Sequence, residues 1–163
     1  MENKILVVYY SLEGNTKLIA EAVSKAVSGN ILEIKPKKDI NSKSKMKYLI
    51  GGKKSITKEK PELLPYDIKA EDYDILFIGT PVWAGNFAPA LRSFFARTNL
   101  KHKKIALFSC NGGNNGKTFE NMKSELGENE FLGEIEFKNP LKNDTEKNVE
   151  KAKRWAEDVC KRL

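Results

Sequence analysis

The chain has 163 residues, 40% of them hydrophobic and 31% charged, which fits one soluble globular domain. No apolar stretch approaches the ~20 residues of a membrane span, which excludes a transmembrane helix. The net charge of +7, from 29 basic and 22 acidic residues, admits an acidic protein, nucleic acid or an anionic surface as partner.

The first element expected is a strand over Lys4–Tyr10, KILVVYY, apolar along its whole length as in a strand buried on both faces. It begins so early that a signal peptide has no room, and the expected location is the cytoplasm. A polar loop, SLEG, leads into a helix with Ile19, Ala22, Val23 and Ala26 or Val27 on one face and Gly29 as its stop. Asn15 is the expected N-cap. NILEIKP (Asn30–Pro36) alternates and reads as a strand exposed on one side, closed by Pro36.

Residues 37–72 are the least legible part. Ten lysines fall between Lys35 and Lys60 against Asp39 and Glu59, and Gly51-Gly52, Pro61 and Pro65 interrupt any pattern. A helix around Lys43–Ile50 is the one element expected there. The lysines read as a solvated surface segment, since no aromatic residues interleave with them as in a nucleic-acid site.

DYDILFIGT (Asp72–Thr80) is the second strongly apolar strand. After the loop PVWAGNFAP comes a helix presenting Leu91, Phe94 and Phe95. KIALFS (Lys104–Ser109) is the next strand, and CNGGNNGKT leads to a helix through Phe119, Met122 and Leu126. FLGEIEF (Phe131–Phe137) alternates weakly, as an outer strand does. Asn143 and Glu146 have capping-box spacing before a last helix with Val149, Ala152, Ala156, Val159 or Cys160, and Leu163 on one face.

Strands alternating with helices predict an α/β fold, a parallel sheet covered by helices on both faces. Right-handed crossovers and five strands fit a doubly wound sheet of order 2-1-3-4-5 in a single domain, residues 1–163. Ligands of such sheets bind beyond the carboxyl ends of the strands, where the order reverses. Three loops follow the three most apolar strands, and all three are rich in Gly, Asn, Ser and Thr.

The first loop is S-L-E-G-N-T. Unpaired N–H groups and the helix dipole at its end favour an anion. Ser11 and Thr16 add hydroxyl donors, Gly14 lets the backbone turn, and the loop itself has no lysine before Lys17. The same residue types suit an ordinary N-cap turn. Neither G-x-x-x-x-G-K-[ST] nor G-x-G-x-x-G is present, so the loop is not that of a nucleotide-hydrolysing enzyme or a dinucleotide site. The second loop is T-P-V-W-A-G-N. Its Trp83 either stacks on a flat heterocycle or plugs the loop onto the domain's own core. The third is S-C-N-G-G-N-N-G-K-T, whose backbone and amide groups suit the polar edge of a ring system, or simply a flexible loop.

Cys110 and Cys160 form no CxxC, and His102 is the single histidine. That argues against a disulfide framework, a zinc site and a histidine-dependent triad. His102 reads as a solvated loop residue, and no basic side chain is spaced to activate Cys110.

These three segments resemble the flavodoxin family. YYSLEGNTKLIAEAV is similar to its phosphate loop [ST]-x-[ST]-G-N-T, with Glu13 where Ser or Thr usually stands. YDILFIGTPVWAGNFAPALRSFF and IALFSCNGGNNGKTF are similar to its other two flavin loops, and the order of occurrence is the same. The resemblance implies a flavodoxin-like fold and non-covalent FMN. Ser11, Glu13, Gly14, Asn15 and Thr16 would surround the phosphate. Thr80, Pro81, Val82, Trp83, Ala84, Gly85 and Asn86 would line one side of the ring. Ser109, Cys110, Asn111, Gly112 and Gly113 would bond its pyrimidine edge. It also implies a backbone change on reduction, for which Ala84-Gly85-Asn86 is the flexible candidate. Three features depart from the family. Glu13 adds negative charge beside the phosphate, no second aromatic is evident for the other ring face, and the chain is basic where flavodoxins are typically acidic.

The leading function implied is an electron carrier between redox proteins, with acidic partners given the basic surface. The alternative is an FMN-dependent NAD(P)H reductase acting on a quinone or other small acceptor. A nucleic-acid or acidic-partner module built on the lysines leaves Trp83 and the three loops unexplained. A phosphorylated receiver domain needs an acidic pair after the first strand and an Asp where Thr80 stands.

Overall fold

The structure, a computed structural model, describes residues 2–44 and 47–163. Five parallel strands form its centre: β1 (Ile5–Tyr9), β2 (Asn30–Glu33), β3 (Ile75–Trp83), β5 (Lys104–Asn111) and β6 (Glu130–Lys138). Their spatial order is β2-β1-β3-β5-β6. With strands counted along the main sheet alone, this is the expected 2-1-3-4-5. A sixth strand, β4 (Asn86–Phe87), folds back antiparallel on the end of β3, pairing Val82 with Phe87 and Trp83 with Asn86.

The apolar strands dictate this arrangement. In β1, Leu6, Val8 and the following Tyr10 point to one face while Val7 and Tyr9 point to the other, and all are buried. Complete burial contributes roughly 1.5–3 kcal/mol per large aliphatic side chain, so both faces need a cover. Helices α3 (Pro89–Arg97) and α4 (Thr118–Leu126) cover the first, through Leu91, Phe94, Met122 and Leu126. Helices α1 (Asn15–Val27) and α5 (Thr145–Lys161) cover the second, through Ile19, Val23, Ala152, Ala156 and Val159. Trp155 of α5 sets its ring edge-on to Phe77 and Phe108.

Several ends differ from expectation. The N-cap of α1 is Gly14, at φ 100°, and Asn15 is its first residue. Only a glycine enters that left-handed conformation without strain. The helix stops at Ser28, also left-handed, and not at Gly29. Asn143 makes no capping box: Asp144 is the N-cap of α5, without a side-chain cap bond, and Asn143 accepts from Asn148 Nδ2 through its carbonyl at 2.7 Å. Beyond β2 the chain returns beside itself, with Leu64 N donating to Lys35 O at 2.7 Å and Lys37 N to Glu62 O at 2.8 Å. The helix of the lysine-rich segment, α2, runs Lys47–Ile56, later than the expected Lys43–Ile50; Lys45 and Met46 lie outside the described residues. Among the described residues no helix is long and apolar enough to cross a membrane.

Gly79 of β3 pairs with Phe108 of β5, and a β-carbon on Gly79 would lie 2.1 Å from both Cε2 and Cζ of that ring. Gly79→Ala is therefore expected to lower stability by about 3 kcal/mol, read as a shift of the urea midpoint. Phe108→Leu in the same chain is expected to return part of that loss.

Candidate functional site

All three loops meet at the carboxyl end of the sheet, on either side of the reversal between β1 and β3. They share a cleft of about 80 Å³ with Ser11, Thr16, Trp83 and Asn111 among its walls. A larger groove, of about 1000 Å³, opens at the opposite end of the sheet beside Lys4, Asn30 and Tyr73. None of the three loops borders it.

The first loop is held by Ser11. Its Oγ accepts from Gly14 N at 3.1 Å and Lys17 N at 3.2 Å, curling the backbone around the start of α1. Thr16 sits behind this curl, 1% exposed, and its Oγ1 has no hydrogen-bond partner among the described residues. A buried hydroxyl in that condition costs about 1–3 kcal/mol. Its neighbour is the Cys110 thiol, close enough to favour ionisation slightly yet outside hydrogen-bond geometry. Asn15 turns its side chain away from the helix start, and its Oδ1 accepts from Leu141 N at 3.0 Å.

Glu13 is neutralised. Its carboxylate forms an ion pair with Lys47 Nζ of α2, which also donates to Ser42 O at 3.0 Å. The two side chains are 33% and 20% exposed, and both residues line the cleft.

The second loop is a tight hairpin. Trp83 and Asn86 pair across Ala84 and Gly85, at φ 50° and 71°. Two consecutive positive φ values are what a two-residue hairpin of this twist needs. Trp83 meets Tyr10 edge to face, ring centres 5.4 Å apart. The Tyr10 hydroxyl donates to Asp39 Oδ1 at 2.7 Å, and burial and that carboxylate together push its ionisation well above the usual range. Helix α2 approaches the indole through Gly51, where a β-carbon would stand 3.0 Å from Trp83 Cδ2, and through Gly52, where one would stand 3.3 Å from Ala84 Cβ.

In the third loop, Asn111 donates through Nδ2 to Glu136 Oε2 at 2.7 Å, while its buried Oδ1 has no partner among the described residues. Cys110 is packed in the core, and burial raises its thiol from the ordinary 9.0 to about 12. It is no thiolate nucleophile.

The cleft thus gathers Ser11, Glu13, Asn15, Thr16, Pro81, Val82, Trp83, Cys110, Asn111 and Gly112 of the residues expected from sequence. The others stand outside its lining. Thr80 Oγ1 accepts from Ala88 N at 2.9 Å and donates to Pro81 O at 2.8 Å, fixing the hairpin. Ser109 Oγ bonds Asn115 Oδ1, and Asn86 Oδ1 accepts from Asn121 Nδ2 at 3.1 Å. Gly85 packs on Gly116, where a β-carbon would lie 2.5 Å from its Cα. Gly14 turns the first loop, Ala84 is exposed, and Gly113 has open space around it.

Three wall residues were not anticipated: Leu12 of the first loop, Lys47 and Asn139. Lys47 comes from the lysine-rich segment, whose lysines read as solvated surface. Asn139, at φ 42° after the outer strand, stands against Gly112 and brings a fourth loop to the same edge. The left-handed Asn after an alternating strand was the available signal.

The family model described as Flavodoxin matches residues 4–159. The chain is a member of the flavodoxin family. A 109-residue stretch is 35% identical to the flavodoxin-like domain-containing protein BilS of Clostridioides difficile (strain CD3), spanning 67% of this chain and 47% of that protein. This chain therefore spans about half the length of that relative. A flavoprotein of Lactobacillus acidophilus NCFM, crystallised in complex with FMN, superposes with a TM-score of 0.71 at 23% identity, covering 88% of this chain and 98% of its own. Flavodoxin 2 of Bacillus cereus does so at 0.61 and 20% identity, covering 98% and 99%. These two likenesses carry the flavodoxin fold.

Thr16→Val keeps the shape of the side chain and removes the stranded hydroxyl. The flavin-free protein is expected to gain up to about 1 kcal/mol in a urea titration. The cysteines supply a second expectation. The Cys110 thiol is raised by the fold, so its share of stability is intact below pH 9 and fades as pH climbs towards 12. At pH 8 iodoacetamide should label the partly exposed Cys160 first, with Cys110 reacting only after unfolding, as read by peptide mass.

Proposed function

We propose that this flavodoxin-family protein binds FMN non-covalently and carries electrons between redox proteins. The carrying observation is Thr16, a buried hydroxyl without a partner among the described residues, at the start of a helix and in the same cleft as an indole. Bound FMN supplies reversible one- and two-electron chemistry. The chain's own residues supply the seat. Thr16 Oγ1, Ser11 Oγ and the backbone N–H groups at the start of α1 would hold the phosphate by neutral donors. Trp83 would offer its ring to the flavin, and Asn111 with the backbone at Gly112 would meet the polar edge. Ligand pockets usually run to about 300–1,000 Å³, so seating the ring requires Trp83 to move outward.

The carrier role is supported by exposure. Ala84, Gly112 and Gly113 are exposed at the rim, where a partner protein could come close to the ring. Lys53 is exposed on the neighbouring α2, and the net charge of +7 favours an acidic partner by steering. An NAD(P)H reductase would share the fold and cofactor but needs a nicotinamide to reach the flavin.

The absorption spectrum of purified protein is expected to show flavin bands that are released on denaturation. Thr16→Ala and Gly14→Val should each lose FMN, whereas Lys53→Ala should retain it. NADPH should be oxidised slowly until a separate reductase is added. Equal retention by all three variants speaks against the phosphate seat, and rapid unaided NADPH turnover makes the protein an enzyme.

A further inference from the structure

Lys47 and Glu13 lie 34 positions apart in sequence, yet they pair at the mouth of the cofactor cleft. The phosphate loop has no basic residue before Lys17, and Lys17 is exposed. Unpaired, Glu13 would set a carboxylate beside the place proposed for a dianion. Lys47 is fixed to prevent that. Its ammonium is shared between Glu13 and Ser42 O, and its helix is held close to the second loop by Gly51 on Trp83 and Gly52 on Ala84. Either glycine enlarged would push α2 outward and carry Lys47 with it.

We propose that Lys47 is a positioning residue of the cofactor site, which cancels the charge of Glu13 and so lets the first loop accept a phosphate-bearing flavin. The inference rests on the FMN reading above. Lys47 acts on the ligand through Glu13 and not by direct contact. Two consequences separate this role from a structural one. The effect must depend on the ligand's phosphate, and it must vanish when Glu13 is neutral.

The test is a set of dissociation constants for FMN and riboflavin, read by quenching of flavin fluorescence, on wild type, Lys47→Gln, Glu13→Gln and the double variant. Urea midpoints of the same four proteins report the fold. An uncompensated charge facing a dianion at a partly wetted site is worth about tenfold in affinity. Lys47→Gln is expected to weaken FMN about tenfold, to leave riboflavin within about twofold, and to lose its effect when Glu13→Gln is added. Lys47→Arg should behave as wild type. FMN binding that ignores Lys47→Gln overturns the inference alone. So does an equal loss of both flavins, or a double variant as weak as Lys47→Gln. A wild-type protein that takes neither flavin overturns the cofactor reading and this inference with it.

Discussion

A strand that is apolar along its whole length can be buried only from both sides. β1, β3 and β5 are three such strands, adjacent in the sheet. Parallel pairing follows, because each strand must be joined to the next by a crossover that lays a helix on one face. The first crossover places α1 on one face, while the chain leaving β3 places α3 on the other. At that divide the loops after β1, β3 and β5 stand around a gap at the carboxyl end of the sheet, with α2 along its edge. The cleft is a product of burying the strands.

Those strands and loops were legible for that reason. Continuous apolar runs, and helices with apolar residues at spacings of three and four, leave a direct mark on sequence. The hairpin after β3 did not. Its second strand is two residues long, too short for any alternation, and one of its two left-handed positions is Ala84 where Asn or Gly would have signalled the turn. Helix ends were missed because Asn15 spends its side-chain oxygen on Leu141 N, and because the last helix starts one residue after Asn143, with Asp144 as its N-cap. A residue type suited to a cap does not reveal which neighbour competes for it.

The lysine-rich segment hid the most. Its lysines look like solvated surface, and many are. Lys47 is identical to them in sequence and differs only in what tertiary packing brings opposite it, the Glu13 carboxylate. The same holds for Glu13, which looks like a misplaced charge in a phosphate loop until its partner is seen. Neither residue is intelligible alone, and no local pattern joins positions 13 and 47.

Gly51 and Gly52 show how a local rule is set aside. A glycine inside a helix costs about 1 kcal/mol relative to alanine, and two in succession ordinarily mark a break. Here they are buried against the hairpin, and a β-carbon on Gly51 would stand only 3.0 Å from the indole Cδ2. Trp83 was open to two readings, a plug on the domain's own core or a stacking platform. It serves as the first, with Tyr10 at its edge and α2 against its fused ring, while also lining the cleft as the second requires. Trp83 stays partly exposed, and its cover by α2 returns a contribution of the same order as the roughly 2 kcal/mol that two helical glycines cost. The glycines are therefore the condition under which a basic helix can lie along the site and bring its first residue to Glu13.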